Sequence, residues 1–180
     1  MYVRGINNVT FLEQIPPKCE DTVIGIVWSE MRSKDDTLSM WRIENREDFD
    51  DAALSIVLPK YKIDKASFLI IEDSAFAENN IEIRKDSPDK CLIRNSKAEH
   101  YNMINIRAGS AADVLHVYRS MYEKDMLNVE EGMYIISWTS NETGDKILNA
   151  CEADKINTTA LGTEMLTSIE NYKQKKKRNN

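Results

Sequence analysis

The chain predicts a single α+β domain built on a curved, mainly antiparallel sheet with helices packed on one face. Three observations lead there. Short apolar runs of strand length alternate with segments of helical period. The order strand, strand, helix, strand occurs twice, and two further helical segments close the chain. The chain has 180 residues, of which 42% are hydrophobic, enough to bury a core without disulfide or metal staples.

The elements follow in order. Val9-Thr10-Phe11-Leu12 alternates and reads as a strand, ended by Pro16-Pro17. Thr22 to Trp28 is β-branched and almost wholly apolar, as a central strand should be. Arg32 to Asp36 is a polar turn, and Thr37 to Ile43 alternates again, with Leu38, Met40 and Arg42 opposite Ser39, Trp41 and Ile43. Asn45 is placed to cap a helix whose face is Phe49, Ala52, Ala53, Ile56 and Val57, and Pro59 ends it. Ser67 to Ile71 is the strand that follows. The second round comprises strands at Ile81 to Arg84 and Met103 to Ile106, a weaker one at Leu92-Ile93, a helix opened by Ser110, and a strand at Met133 to Trp138. Asn141 to Cys151 and Thr158 to Tyr172 read as closing helices. The predicted domain is 1–172, and residues 173–180, which hold no apolar residue, are expected to be a disordered basic tail.

Charge is unevenly spread. The net charge is −6, but Lys173, Lys175, Lys176, Lys177 and Arg178 supply five of the 24 basic residues, so the remaining 19 face 30 acidic ones and the body carries −11. Such a body repels nucleic acid in general, and any contact with it needs a local basic patch or the tail. The odd count and wide spacing of Cys19, Cys91 and Cys151 argue against a disulfide framework or a CxxC metal site. No apolar run approaches the roughly 20 residues that cross a bilayer, and no signal peptide is visible. A cytoplasmic protein without membrane, cofactor or metal is expected.

The most informative local feature is the turn Arg32-Ser33-Lys34 leading to Trp41. Arg32 offers a planar fork suited to phosphate and Lys34 a mobile point charge. Trp41 offers a flat face on which a base can stack, with Trp28 and Trp138 as further stacking candidates. Charged turns are also simply solvated, and strand tryptophans often belong to the core.

Residues 20–75 resemble translation initiation factor 4E, the family that binds the messenger-RNA cap. An apolar strand is followed by Arg32-x-Lys34, an acidic turn, Trp41 nine residues after Arg32, the run Glu44-Asn45-Arg46-Glu47 opening a helix, and the strand Phe68-Leu69-Ile70-Ile71. The resemblance implies that Arg32 and Lys34 hold the cap phosphates and that Trp41 matches the tryptophan that contacts the cap's methyl group. The family's two cap-sandwiching tryptophans and their Glu lie upstream of this turn and have no counterpart at that place. The matching strand, helix and strand are expected at residues 81–138, in a rearranged order.

These features together point to a protein that binds single-stranded or messenger RNA, with Lys175, Lys176, Lys177 and Arg178 adding nonspecific phosphate contacts. The acidic body points instead to a protein-protein adaptor or inhibitor, of the immunity or antidefence type, that binds no nucleic acid. Catalysis is not expected. His116 falls off the apolar stripe of its helix, His100 sits in a predicted loop beside Glu99, and no hydrolase or nucleotide-loop motif occurs.

Overall fold

The computed structural model describes residues 1–7, 9, 12–13, 15, 37–87, 92–107, 110–127 and 134–179. The expected strand at 22–28 and the turn with Arg32 and Lys34 lie outside the described residues. Among these, six strands form one sheet: β1 (Tyr2–Ile6), β2 (Leu38–Arg42), β3 (Ala66–Ile71), β4 (Ile83–Lys85), β5 (Glu99–Met103) and β6 (Ile135–Trp138). Among the described residues the α-helices are α1 (Phe49–Val57), α2 (Asp73–Glu78), α3 (Ala111–Leu127), α4 (Ser140–Glu152) and α5 (Thr163–Asn179). The sheet order is β4-β5-β2-β1-β3-β6, and every neighbouring pair is antiparallel. The fold is α+β.

Helices cover both faces of the sheet, where one face was expected. β2 and β3 both run antiparallel to the β1 between them, so α1 joins two parallel strands. β5 and β6 are likewise parallel to each other, and α3 joins them. The two crossovers travel the same way across the sheet but start from strands of opposite direction. Crossovers of one hand must then lie on opposite faces. Tyr2, Ile6, Leu69 and Ile71 accordingly pack with Phe76 of α2 and with Val114, Tyr118 and Met121 of α3. Val3, Phe68, Ile70 and Trp138 pack with α1 and with Ile147 of α4 and Met165 of α5. The two strand-strand-helix-strand units are therefore not side by side. β4 and β5 flank one edge of the β2-β1-β3 core, and β6 flanks the other.

Several boundaries move for local reasons. Of the expected strand at residues 9–12, the described residues are not extended: Leu12 and Glu13 are helical, the Leu12 N–H donates to the Val9 carbonyl at 2.9 Å, and Leu12 and Ile15 are both buried at helical spacing. The strand expected at 103–106 ends at Met103, because Asn105 adopts a φ of 59°. Leu92-Ile93 contributes only one bridge, Ile93 to Ile156. Helix α2 was not foreseen; its six residues bury Ala75 and Phe76 before Asn80 turns to a φ of 54°.

The expected disordered tail is helical. α5 continues to Asn179, where lysine and arginine are good helix formers and complement the negative end of the helix dipole. Lys176 pairs with Asp145 of α4 at 2.5 Å. Tyr172 anchors the same helix, donating its hydroxyl to the Asn141 carbonyl at 2.9 Å. Its ring occupies the space a Cβ on Gly144 would need, at 2.5 Å.

The close approach of α1 to β1 depends on Gly5, where an added Cβ would lie 2.7 Å from Cγ2 of Ile56. Alanine in a strand is otherwise worth roughly 0.5–1 kcal/mol over glycine, while overpacking costs about 1–3 kcal/mol. Gly5→Ala is expected to destabilise the protein by about 1–2 kcal/mol in chemical denaturation, and Ile56→Ala in the same chain is expected to restore part of the loss.

Candidate functional site

The ladder between β1 and β2 is short. Only Tyr2↔Arg42 and Val3↔Trp41 pair, although β1 pairs with β3 over five residues and β2 pairs with β5 over five. Past Val3 the Arg4 side chain spans the opening, donating from Nη1 to the Ser39 carbonyl at 2.7 Å. A cleft of about 370 Å³ lies there, lined by Arg4, Gly5, Ser39, Trp41, Ser55 and His100 among others. Its base is thus made of two strands that part, and its wall is the C-terminal half of α1.

Trp41 is half-buried, on the sheet face that carries α1. Across the β2–β5 ladder it sits opposite His100, and the two rings lie 5.1 Å apart at 53°. His100 therefore lies in β5 rather than in the expected loop. Glu99, its neighbour in sequence, pairs with Lys85 instead. The carboxylate nearest His100 is that of Asp86, 3.6 Å from Nδ1, which also accepts from Asn102 Nδ2 at 2.8 Å. Burial pushes the imidazole pKa below its ordinary 6.5, and the Asp86 charge offsets part of that. At neutral pH the site thus presents a neutral imidazole beside an indole.

The other expected residues fall elsewhere. Trp28, Arg32 and Lys34 lie outside the described residues, three residues of the gap ending at Asp36 before Thr37 leads into β2. Trp138 is not a stacking platform: it is 6% exposed, edge-on to Phe68 at 4.9 Å and to Phe49 at 5.9 Å. Those ring contacts are worth about 0.5–1.5 kcal/mol each and close the indole to a base. Lys175, Lys177 and Arg178 are exposed at the end of α5, with Lys176 held by Asp145. His116 is exposed on α3. Cys151 is half-buried, with its thiol pKa raised by burial; Cys19 and Cys91 lie outside the described residues.

A basic segment escaped notice in the sequence. Between α1 and β3 runs Lys60-Tyr61-Lys62-Ile63-Asp64-Lys65, and Tyr61 is 78% exposed. The segment is fixed at Ile63, whose N–H donates to Oγ of Ser168 on α5 at 2.9 Å. Three lysines around an aromatic within six residues were a readable signal, masked by their position between two clear elements. The acidic cluster at Asp48, Asp50 and Asp51 is matched by cations: Lys97 stands 3.7 Å from Asp48, Lys146 2.5 Å from Asp50 and Lys155 3.7 Å from Asp51. It presents paired charges rather than a field of one sign.

Among the described residues no helix is long and apolar enough to cross a membrane, and no group of three or more His, Cys, Asp or Glu is placed to hold a metal ion. No family model, curated protein or solved structure matches the chain.

The depressed pKa of His100 couples stability to pH. Its folded-state pKa lies below the unfolded value of 6.5, so its contribution to stability is complete above that pH. As the pH falls below 6.5 the unfolded chain takes up the proton first, and stability is lost until the folded pKa is passed. His100→Gln is expected to flatten the decline in unfolding free energy between pH 7.5 and 5, measured by denaturant titration. An NMR titration of the native protein is expected to place the His100 midpoint below 6.5.

Proposed function

We propose that the protein binds single-stranded RNA, with one base received in the cleft between β1 and β2. The observation that carries this reading is the half-exposed Trp41, set beside the His100 ring in a cleft that Arg4 also lines. Aromatic faces beside a cation are how unstacked bases are held. A cleft of about 370 Å³ is within the usual range of small-ligand sites, and one nucleotide is a ligand of that class. Arg32 and Lys34 lie in the chain just before β2, nine and seven residues before Trp41, and supply the phosphate contacts in this reading. The resemblance of this segment to initiation factor 4E supports the same assignment. Because the family's other cap tryptophans have no counterpart upstream of this turn, the ligand is taken to be single-stranded RNA rather than the cap. The exposed cations at the end of α5 add affinity without sequence preference.

The test is a titration of fluorescein-labelled oligouridine at low salt. Trp41→Ala is expected to weaken binding by about 1–3 kcal/mol, while Trp41→Phe retains most of the affinity. Arg32→Ala with Lys34→Ala is expected to cost a similar ~1–3 kcal/mol and to reduce the dependence of affinity on salt. Affinity unchanged in both the Trp41→Ala and the double variant would sink the assignment. Copurification of a basic protein, with no RNA affinity in the native chain, would favour the adaptor reading instead.

A further inference from the structure

A second groove, of about 1020 Å³, adjoins the Trp41 cleft. Pro59 lines both. β1 and the residue after it serve both as well: Arg4 and Gly5 line the cleft, Ile6 and Asn7 the groove. Four consecutive residues of an extended chain advance about 10 Å, so the two sites follow one another along the same strand. The groove's rim is the segment Lys60, Tyr61, Lys62 and Lys65. Tyr61 is 78% exposed, an orientation that costs the ring its burial and presents its face to solvent. Asp64 and Glu164 also line the groove. Lys62 pairs with Asp64 at 3.0 Å, but its side chain is 74% exposed, and an exposed pair of this kind is weak enough to exchange its partner for a phosphate. The loop is held in place by the Ile63–Ser168 bond and so does not need to be ordered on binding.

We propose that this groove continues the RNA site, with Tyr61 stacking a second base and Lys60, Lys62 and Lys65 holding the intervening phosphates, so that the ligand is an oligonucleotide rather than a mononucleotide. The proposal rests on the assignment of RNA to the Trp41 cleft. It adds a direction, from the cleft over Pro59 to the lysines, and a minimum length longer than the cleft alone could use. Alternation of aromatic faces with cations along a groove is the pattern that holds single strands without reading their sequence.

The experiment compares fluorescein-labelled uridine dimers and octamers by anisotropy at about 50 mM salt, the regime in which phosphate contacts are strong. The native protein is expected to bind the octamer more tightly than the dimer. Tyr61→Ala is expected to weaken octamer binding about fivefold or more and to leave the dimer unchanged, and Lys62→Ala with Lys65→Ala to lower the salt dependence for the octamer alone. Each of these side chains is exposed, so the melting temperature serves as a control and is expected to stay constant. Equal affinity for dimer and octamer, or octamer binding indifferent to both variants, overturns the extended track while the cleft assignment stands. Absence of binding by either oligomer to the native protein overturns the cleft assignment itself and the track with it. Equally tight binding of a poly-glutamate octamer overturns the nucleic-acid assignment of the groove and makes it a site for acidic peptide.

Discussion

Strand β1 is the constraint on which the rest of the molecule is built. Its five residues sit between β2 and β3, send Tyr2 and Ile6 into one core and Val3 into the other, and let α1 come close at Gly5. The strand is held to β3 along its whole length and to β2 over two pairs. That inequality lets the sheet open on one side without losing its centre. The Arg4–Ser39 bond spans the opening and satisfies a carbonyl that the ladder leaves behind. The cleft is consequently a property of the strands themselves rather than of a loop laid over them. Side chains presented by strands with packed neighbours are preorganised, and a ligand that meets them loses less in ordering the site.

Much of the fold was legible because its signals are local. The alternation through Leu38 to Ile43 places Met40 and Ile43 on opposite sides, as found. The period of Phe49, Ala52, Ala53 and Val57 buries one helix face. The two-sided sheet was also written in β3, whose run Phe68-Leu69-Ile70-Ile71 is buried throughout, a pattern that belongs to strands covered on both faces. It was missed because the direction of a crossover depends on which strands neighbour each other, and strand order is a long-range property. β5 was displaced for a different reason: Glu99, His100, Tyr101 and Asn102 are polar, and they form a strand because β2 and β4 pair with it on both sides, not because their own propensity demands one.

The site was legible residue by residue and not as a constellation. Trp41 announced itself as an aromatic on an alternating strand, but its partners come from β1 and β5, which register alone brings alongside. His100 looked like a companion of Glu99; the pleat of the strand separates them and gives the imidazole to Trp41 and Asp86. Trp138 looked as exposed as Trp41, since both sit in short strands. Phe49 and Phe68, far away in sequence, decide its burial. The tail's charge was visible and its helicity was not, because the anchoring contacts, Tyr172 on Gly144 and Lys176 on Asp145, join two helices across a loop.

The helical state of that basic end changes the electrical character of the whole molecule. A disordered chain averages its charges over many positions, whereas α5 holds Lys173, Lys175, Lys177 and Arg178 at one end of a 17-residue rod whose other end packs against an acidic body. The result is a cationic helix end whose position beside α4 is fixed by the Tyr172 and Lys176 contacts. A cationic end held in one place acts on a nearby polyanion from one direction rather than many. That direction is then set by the anchoring of one tyrosine against one glycine.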